Sequence, residues 1–403
     1  MLKLALRNIG RQGLRSALTL AAIALGVAGL ILAGGFVEDV FVQLGEATIH
    51  SQLGHLQVLR SGYYAKGARK PLEYAIREPR ELVARIRANP AVDDAMLRLD
   101  FSGLLSNGRT DLAVTGQGVE PEHEARLGTH VTMLQGRNLA AEDRFGMLIG
   151  EGVARTLGLR AGDSAVLVAT TTDGGLNNVD VTIVGVFRSF SKDYDNRAVR
   201  IQLGAAQDLL GADVANAAVV LLHRTSDTHA TRTALAQTLA KSDVEVRTWD
   251  ELSDFYSKTI ALYQRQFGVL QVIVTVMVVL SVMNSVSLTT FERAGEFGTL
   301  RALGDTDATV FALLIVENTV VGLIGAALGV VIGCTLAFAV SAIGIPMPPP
   351  PNAEAGYTAL IRIVPSVVSI ACAIGVLATV AATVLPARRV TRLPIADALR
   401  QNV

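Results

Sequence analysis

Cysteine is nearly absent: the 403 residues contain two, Cys334 and Cys372. Both fall in long apolar runs, which excludes a disulfide framework or a thiolate metal site and leaves them as small packing residues. Aromatic residues are few, 5% against 50% hydrophobic overall, so the apolar content is aliphatic. Lys plus Arg number 36 and Asp plus Glu also 36. A net charge of zero provides no basic field for nucleic acid. No G-x-x-x-x-G-K-[ST] phosphate loop occurs, and Gly116-Gln117-Gly118 lacks the flanking glycines of a nucleotide site. H-E-x-x-H, G-x-S-x-G and Cys/His metal spacings are missing as well. The histidines, His50, His55, His123, His130, His223 and His229, are scattered. A spacing of five does not put His50 and His55 on one helical face, so they read as surface or loop residues. No catalytic constellation, metal site or cofactor site is legible in this chain.

What is present is apolar sequence in blocks. Mean hydropathy is +0.41, and the aliphatic residues gather at 16–37, 267–291, 309–343 and 364–386. A bilayer core needs about 20 apolar residues as helix. The four runs therefore predict four membrane spans, the third long enough to tilt or project. The first run follows Lys3, Arg7, Arg11 and Arg15, as a signal peptide would, but exceeds the roughly 7–15 residues of a cleavable apolar region. The same basic residues, with Arg293 and Arg301 between spans two and three and Arg388, Arg389, Arg392 and Arg400 in the tail, place both termini in the cytoplasm. Only Arg362 lies between spans three and four.

The resulting fold class is an α-helical membrane protein with four transmembrane helices and a large mixed α/β extracytoplasmic domain inserted between the first and second. Its parts are an amphipathic interfacial helix 1–15, span one 16–37, the α/β domain 38–266, span two 267–291, a cytoplasmic segment 292–308, span three 309–343, an outer loop 344–363, span four 364–386 and a cytoplasmic tail 387–403. In the first part, the cations recur every fourth residue opposite Leu2, Leu6 and Ile9, a pattern suited to anionic headgroups. Within the α/β domain, residues 56–59, 95–105, 111–116, 165–169 and 179–187 read as strands. Residues 79–88, 150–157 and 234–239 read as helices. The Asp-Gly-Gly and Asn-Asn of 171–178 mark a hairpin tip.

Gly325, Gly329 and Gly333 recur every fourth residue in span three, and Ala22/Gly26 and Ala371/Gly375 repeat that spacing in spans one and four, which permits close helix approach. Glu317 lies about 12 Å into span three if that helix begins near Thr309. A carboxylate there must be protonated, paired or near water. It is either a coupling residue or, as the absence of a second intramembrane charge favours, a structural hydrogen-bonding group. The segment 292–308 is short and amphipathic, with Phe297, Leu300 and Leu303 at helical spacing beside Glu296 and Arg301. Such a helix can dock into a groove on a motor subunit.

The run Phe291-Glu292-Arg293-Ala294-Gly295-Glu296-Phe297-Gly298-Thr299-Leu300-Arg301-Ala302-Leu303-Gly304 resembles the R-x-x-E-(I/F)-G-x-L-R-A-L-G signature of FtsX/MacB-type permeases. Ala5-Leu6-Arg7-Asn8-Ile9 resembles that family's opening. Leu385-Pro386-Ala387-Arg388-Arg389 and Pro394-Ile395-Ala396-Asp397-Ala398-Leu399-Arg400 resemble its ending. The segment 150–163 resembles its periplasmic core. The order of one span, a domain and three spans, with His55-Leu56-Gln57-Val58 after span one, looks like the LolC/LolE lipoprotein-releasing branch.

The resemblance implies a bacterial inner-membrane permease working with an ATPase dimer on separate chains, which would hold the ATP and magnesium. It also implies a second permease copy or paralogue and a lipidated or amphiphilic substrate. Glu296, Phe297, Leu300, Arg301 and Leu303 would contact the motor. Leu30, Ile31, Phe36, Val269 and Ile273, placed near the outer ends of spans one and two, would line a substrate cleft. A periplasmic carrier would meet the hairpin at Thr171, Asp173, Gly174 and Asn177, which departs from the family's hook in lacking its proline and arginine. Two rivals remain within the family: MacB-like export of peptides or drugs, and an FtsX-like regulator of a cell-wall hydrolase that transports nothing.

Overall fold

The computed structural model describes residues 13–66, 71–76, 78–348 and 356–394. The proposed interfacial helix, apart from its last three residues, and the end of the tail lie outside these. The chain divides into two compact units, residues 1–42, 260–347 and 358–403 forming one and residues 43–259 with 348–357 the other.

The first unit is helical. Among the described residues, four helices are long and apolar enough to cross a membrane. They are Gly13–Thr48, Asp254–Glu292, Asp307–Ile343 and Pro365–Thr391, here spans one to four. Helix one runs past the apolar run to Thr48, and helix two starts well before its apolar run. Backbone hydrogen bonding rewards continuation of a helix beyond its apolar part. Helix four continues through Pro386 to Thr391. Thr306 caps helix three by accepting from the Thr309 amide.

Small residues set the packing. A Cβ on Gly325 would meet Ile23 at 2.9 Å, one on Gly329 the Ala24 carbonyl at 2.7 Å, and one on Gly333 the Ala28 Cα at 3.1 Å. The glycine stripe of span three is therefore the seat of span one, and backbone proximity there supplies dispersion contacts that lipid cannot exceed. Span two meets span one through Gly26, whose added Cβ would strike Val278, and through a hydrogen bond between Thr19 and Ser285. Asp39 is fully buried, accepting from Leu360 N at 2.9 Å and from Arg362 Nε at 2.9 Å. The basic residue between spans three and four is thus an ion-pair partner of helix one.

Among the described residues, the second unit is built on a ten-stranded sheet. Its strands are β1 (Leu56–Arg60), β2 (Val92–Ser106), β3 (Asp111–Val119), β4 (Thr132–Gly136), β5 (Gly146–Gly150), β6 (Ser164–Thr170), β7 (Leu176–Arg188), β8 (Ala198–Gln202), β9 (Ala217–Leu222) and β10 (Val244–Thr248). The order is β10-β1-β9-β2-β3-β8-β5-β7-β4, with β6 bridging β2 and β7. β3 with β8 and β5 with β7 run parallel, and the other pairs are antiparallel.

The two largest apolar cores on it are covered by different helices. One gathers Leu99, Met147, Ile149, Leu167 and Ile201 under the helices Glu151–Leu157 and Leu203–Leu210. The other gathers Leu56, Val58, Ile86, Val220 and Leu235 under Pro79–Arg87 and Thr228–Thr238. Gly158 ends its helix at φ 66°, a left-handed position where glycine carries no Cβ penalty.

Candidate functional site

The signature segment folds as the short helix Ala294–Ala302 between spans two and three. Its two sides differ. Ala294, Gly295, Phe297 and Gly298 are buried. Phe297 packs with Val310 and Leu314 of span three and Ala387 and Val390 of span four. Phe297, one of the residues expected to contact the motor, is 1% exposed, its ring turned toward spans three and four. At about 100° per residue, positions 296, 299 and 303 share one face and 294, 297 and 298 the opposite one. Glu296 and Thr299 are exposed, and Leu303 is 81% exposed, while Leu300 is half-buried between the faces. Arg301 also turns inward, donating to the Leu393 carbonyl at 2.7 Å and pairing with Asp307 at 2.7 Å.

Arg293 sits at the start of this helix and explains Glu317. Its Nη1 donates to Glu317 Oε1 at 2.8 Å and its Nε to Glu296 Oε2 at 3.0 Å. The guanidinium lies 5.1 Å from the Phe297 ring centroid. The intramembrane carboxylate is thus paired, and its partner comes from the signature segment. A separation of 24 residues and an intervening turn kept that partner out of view in the sequence.

A cleft of about 230 Å³ opens among Leu30, Gly34, Val37 and Phe41 of helix one, Phe267 and Gln271 of helix two, and Ile370 of helix four. Of the five residues expected to line such a cleft, only Leu30 does. Ile31 is buried. Phe36 is half-buried and does not line the cleft. Val269 and Ile273 are 62% and 51% exposed. Residues 30, 34, 37 and 41 follow the i, i+3/i+4 rule on one face, as do 264, 267 and 271. Val269 and Ile273 point elsewhere on the same helix.

In the α/β unit, the turn after β6 is shorter than expected. β7 begins at Leu176, and Asn177 and Asn178 pair with Ala169 and Val168. Asn177 Nδ2 donates to the Leu209 carbonyl at 3.0 Å and the Thr172 amide to the Leu210 carbonyl at 3.1 Å, so the hairpin is tied to the neighbouring helix. Asn177 is therefore an anchor of the hairpin. Asp173 and Gly174 remain exposed, and Leu176, 79% exposed, stands beside them.

The histidines expected to be scattered partly converge. His50 lies on a π-helical turn, Ile49–Leu53, that continues helix one. Its ring centroid is 5.5 Å from His55 and 5.5 Å from His130. His55 Nδ1 accepts from the Leu222 amide at 3.1 Å, which makes Nε2 the protonated nitrogen donating to Thr225 Oγ1 at 3.1 Å. Thr225 donates in turn to Glu46 at 2.7 Å. Among the described residues no group of three His, Cys, Asp or Glu is arranged to hold a metal ion.

Burial, and then the neighbouring His50, pull His55 from its ordinary 6.5 down to about 4. Below 6.5 the unfolded chain takes up the proton and the folded one does not, so the contribution of His55 to stability is full above that pH and is lost as pH falls toward 4. The full-length protein should lose on the order of 3 kcal/mol across this window. His55→Gln, which keeps one acceptor and one donor, should flatten the dependence of Tm on pH. An unchanged slope in that variant would remove His55 as the cause.

Comparison with known proteins agrees with this architecture. Residues 16–238 match the MacB-like periplasmic core domain and residues 268–395 the FtsX-like permease C-terminal domain. The chain is 24% identical over 350 residues to the lipoprotein-releasing system transmembrane protein LolC of Neisseria meningitidis serogroup B, covering 82% of this chain and 80% of that one. It is 22% identical over 324 residues to LolE of Haemophilus influenzae, covering 78% and 75%. Among solved structures, the periplasmic region of MacB from Actinobacillus actinomycetemcomitans aligns with 12% identity and a TM-score of 0.37, covering 51% of this chain and 92% of that one. With its first apolar helix and α/β unit under one of these descriptions and its remaining spans under the other, the chain belongs to the FtsX/MacB family of ABC transporter permeases.

Proposed function

We propose that this chain is the permease subunit of a lipoprotein-release type machine in a bacterial inner membrane. Both termini and the helix Ala294–Ala302 lie in the cytoplasm, and the α/β unit lies outside. A separate ATPase dimer binds ATP and magnesium and docks on Glu296, Thr299 and Leu303. A second permease copy or paralogue completes the complex. The substrate is a lipidated or amphiphilic molecule taken from the outer leaflet.

The observation that carries the substrate class is the cleft lined by Phe41 and Phe267. Its lining is mostly aliphatic and aromatic side chains with Gly34 and Gly268, and includes the polar Glu38, Gln264 and Gln271. An acyl chain suits the apolar part of this lining, and a polar headgroup or linker suits Glu38, Gln264 and Gln271. At about 230 Å³ the cleft accommodates one chain segment, so a bulkier amphiphile needs the spans to part.

A photocrosslinking amino acid at Phe41 or Phe267 should capture lipidated protein in cells. The control position is Leu377 of span four, 67% exposed and away from the cleft. Capture of lipidated substrate at Leu377 and none at Phe41 or Phe267 would overturn the assignment. Capture of unlipidated peptides at the cleft would move the chain to the MacB-like export reading.

A further inference from the structure

We propose that Arg293 is the positioning residue of a two-seat latch between the docking helix and span three, and that the unpaired oxygen of Glu317 is its second seat. This rests on the motor-docking reading of Ala294–Ala302.

One guanidinium is shared by two carboxylates in different surroundings. The Glu296 side chain is 54% exposed, whereas those of Arg293 and Glu317 are 10% and 11% exposed. Glu317 uses only Oε1 for Arg293. Among the described residues, its Oε2 is buried with no hydrogen-bond partner. A buried carboxylate oxygen without a donor is costly, and a second N–H within reach would relieve it. Arg293 carries such a donor in Nη2, the fork partner of Nη1, but the bond from Nε to Glu296 holds the guanidinium turned away from a two-point grip on Glu317.

The rest of the docking helix offers no comparable freedom. Phe297 is locked among Val310, Leu314, Ala387 and Val390, and Arg301 is held by Leu393 and Asp307. The guanidinium is the element with two discrete places to go.

The exposed carboxylate is the one a docking partner reaches. When a cation of the motor neutralises Glu296, Nε of Arg293 is released. The planar fork then turns onto Glu317 and engages both oxygens, the strong bidentate form of this pair. The guanidinium slides over the fixed ring of Phe297, and the start of the docking helix draws toward span three. Lysine cannot do this, because an ammonium is a point charge without a fork. The latch has the form of an allosteric element: two states, and a ligand that binds one of them better.

Two experiments test it. The first uses the full-length permease alone in nanodiscs, spin-labelled at Ala302 and Leu336. Glu296→Gln imitates the neutralised state and should shift the label distance by roughly 1–2 Å, the scale of a helix adjustment. Glu296→Gln combined with Glu317→Gln should abolish the shift. An unshifted distance in Glu296→Gln, or a shift that survives Glu317→Gln, overturns the latch.

The second uses the complex with its ATPase. Arg293→Lys should retain the ATPase on purification but lose substrate stimulation of hydrolysis by about fivefold or more. Wild-type stimulation in Arg293→Lys overturns the latch while leaving the docking face intact. Absence of any ATPase from wild-type complexes overturns the docking reading, and the distance measurement still decides the latch.

Discussion

Phe297→Ala should destabilise the membrane unit by about 3–5 kcal/mol, the usual cost of truncating a fully buried phenylalanine. The ring is 1% exposed and fills the space between spans three and four beside Val310, Leu314, Ala387 and Val390. Its removal leaves a cavity walled by side chains of spans three and four, whose helices are held by their other contacts and cannot close on it freely. It also removes the face on which Arg293 rests. The apparent Tm in nanodiscs should fall sharply. Leu303→Asp is the complementary variant. Leu303 is 81% exposed, so its replacement should leave Tm within about 0.5 kcal/mol of wild type. It should nevertheless strip the ATPase from purified complexes, since a charge on an apolar anchor opposes docking. The opposite pattern, a stable Phe297→Ala that loses ATPase and a Leu303→Asp that keeps it, would mean that the helix presents its other face to the motor.

Glu124→Gln should cost the α/β unit about 3–5 kcal/mol, the range for breaking a buried charge network by removing one partner. Arg98 Nη2 donates to both oxygens of Glu124 at 2.9 Å, and Arg200 Nη1 pairs with Oε1 at 3.2 Å. All three residues are buried. Burial by itself would push the Glu124 carboxyl up, but Arg98 and then Arg200 hold it below its usual range. With glutamine at this place, two buried guanidiniums share one neutral acceptor. The same arginines hold the chain leaving helix one: Arg98 donates to the Gln52 carbonyl at 2.5 Å and Arg200 to the Ser51 carbonyl at 2.9 Å. Hydrogen exchange at residues 49–55 of the full-length variant should therefore rise with the loss of stability. A change in Tm equivalent to less than about 1 kcal/mol would show that solvent already shields these charges.

Much of this architecture was legible as composition. An apolar stretch of about 20 residues is a span wherever it falls, because lipid leaves the backbone no other way to satisfy its hydrogen bonds. The glycine stripe was legible too, though not its partner, since small residues announce a close approach without saying to what. Alternating strands such as those in β6 and β7 could be read, while β5 and β9 could not. Gly146–Gly150 and Ala217–Leu222 are buried at every position, which erases the period-two pattern. The histidine cluster escaped because its members stand on a π-helical turn, the segment after it and the loop before β4, joined only by the fold.

By itself, then, the sequence determined the four apolar helices, the intervening α/β unit and the signature between spans two and three. Each is a local property of composition and spacing. Only the tertiary structure decided which face of each element does what. It turned Phe297 and Arg301 inward and left Glu296 and Leu303 outward. It moved the cleft from Val269 and Ile273 to Phe41, Phe267 and Ile370, and it gave Glu317 to Arg293. A helix rotates its side chains by about 100° per residue, so a small change in how neighbours press on it exchanges buried for exposed positions without altering the sequence pattern. Helical phase relative to the surrounding spans is a property of packing.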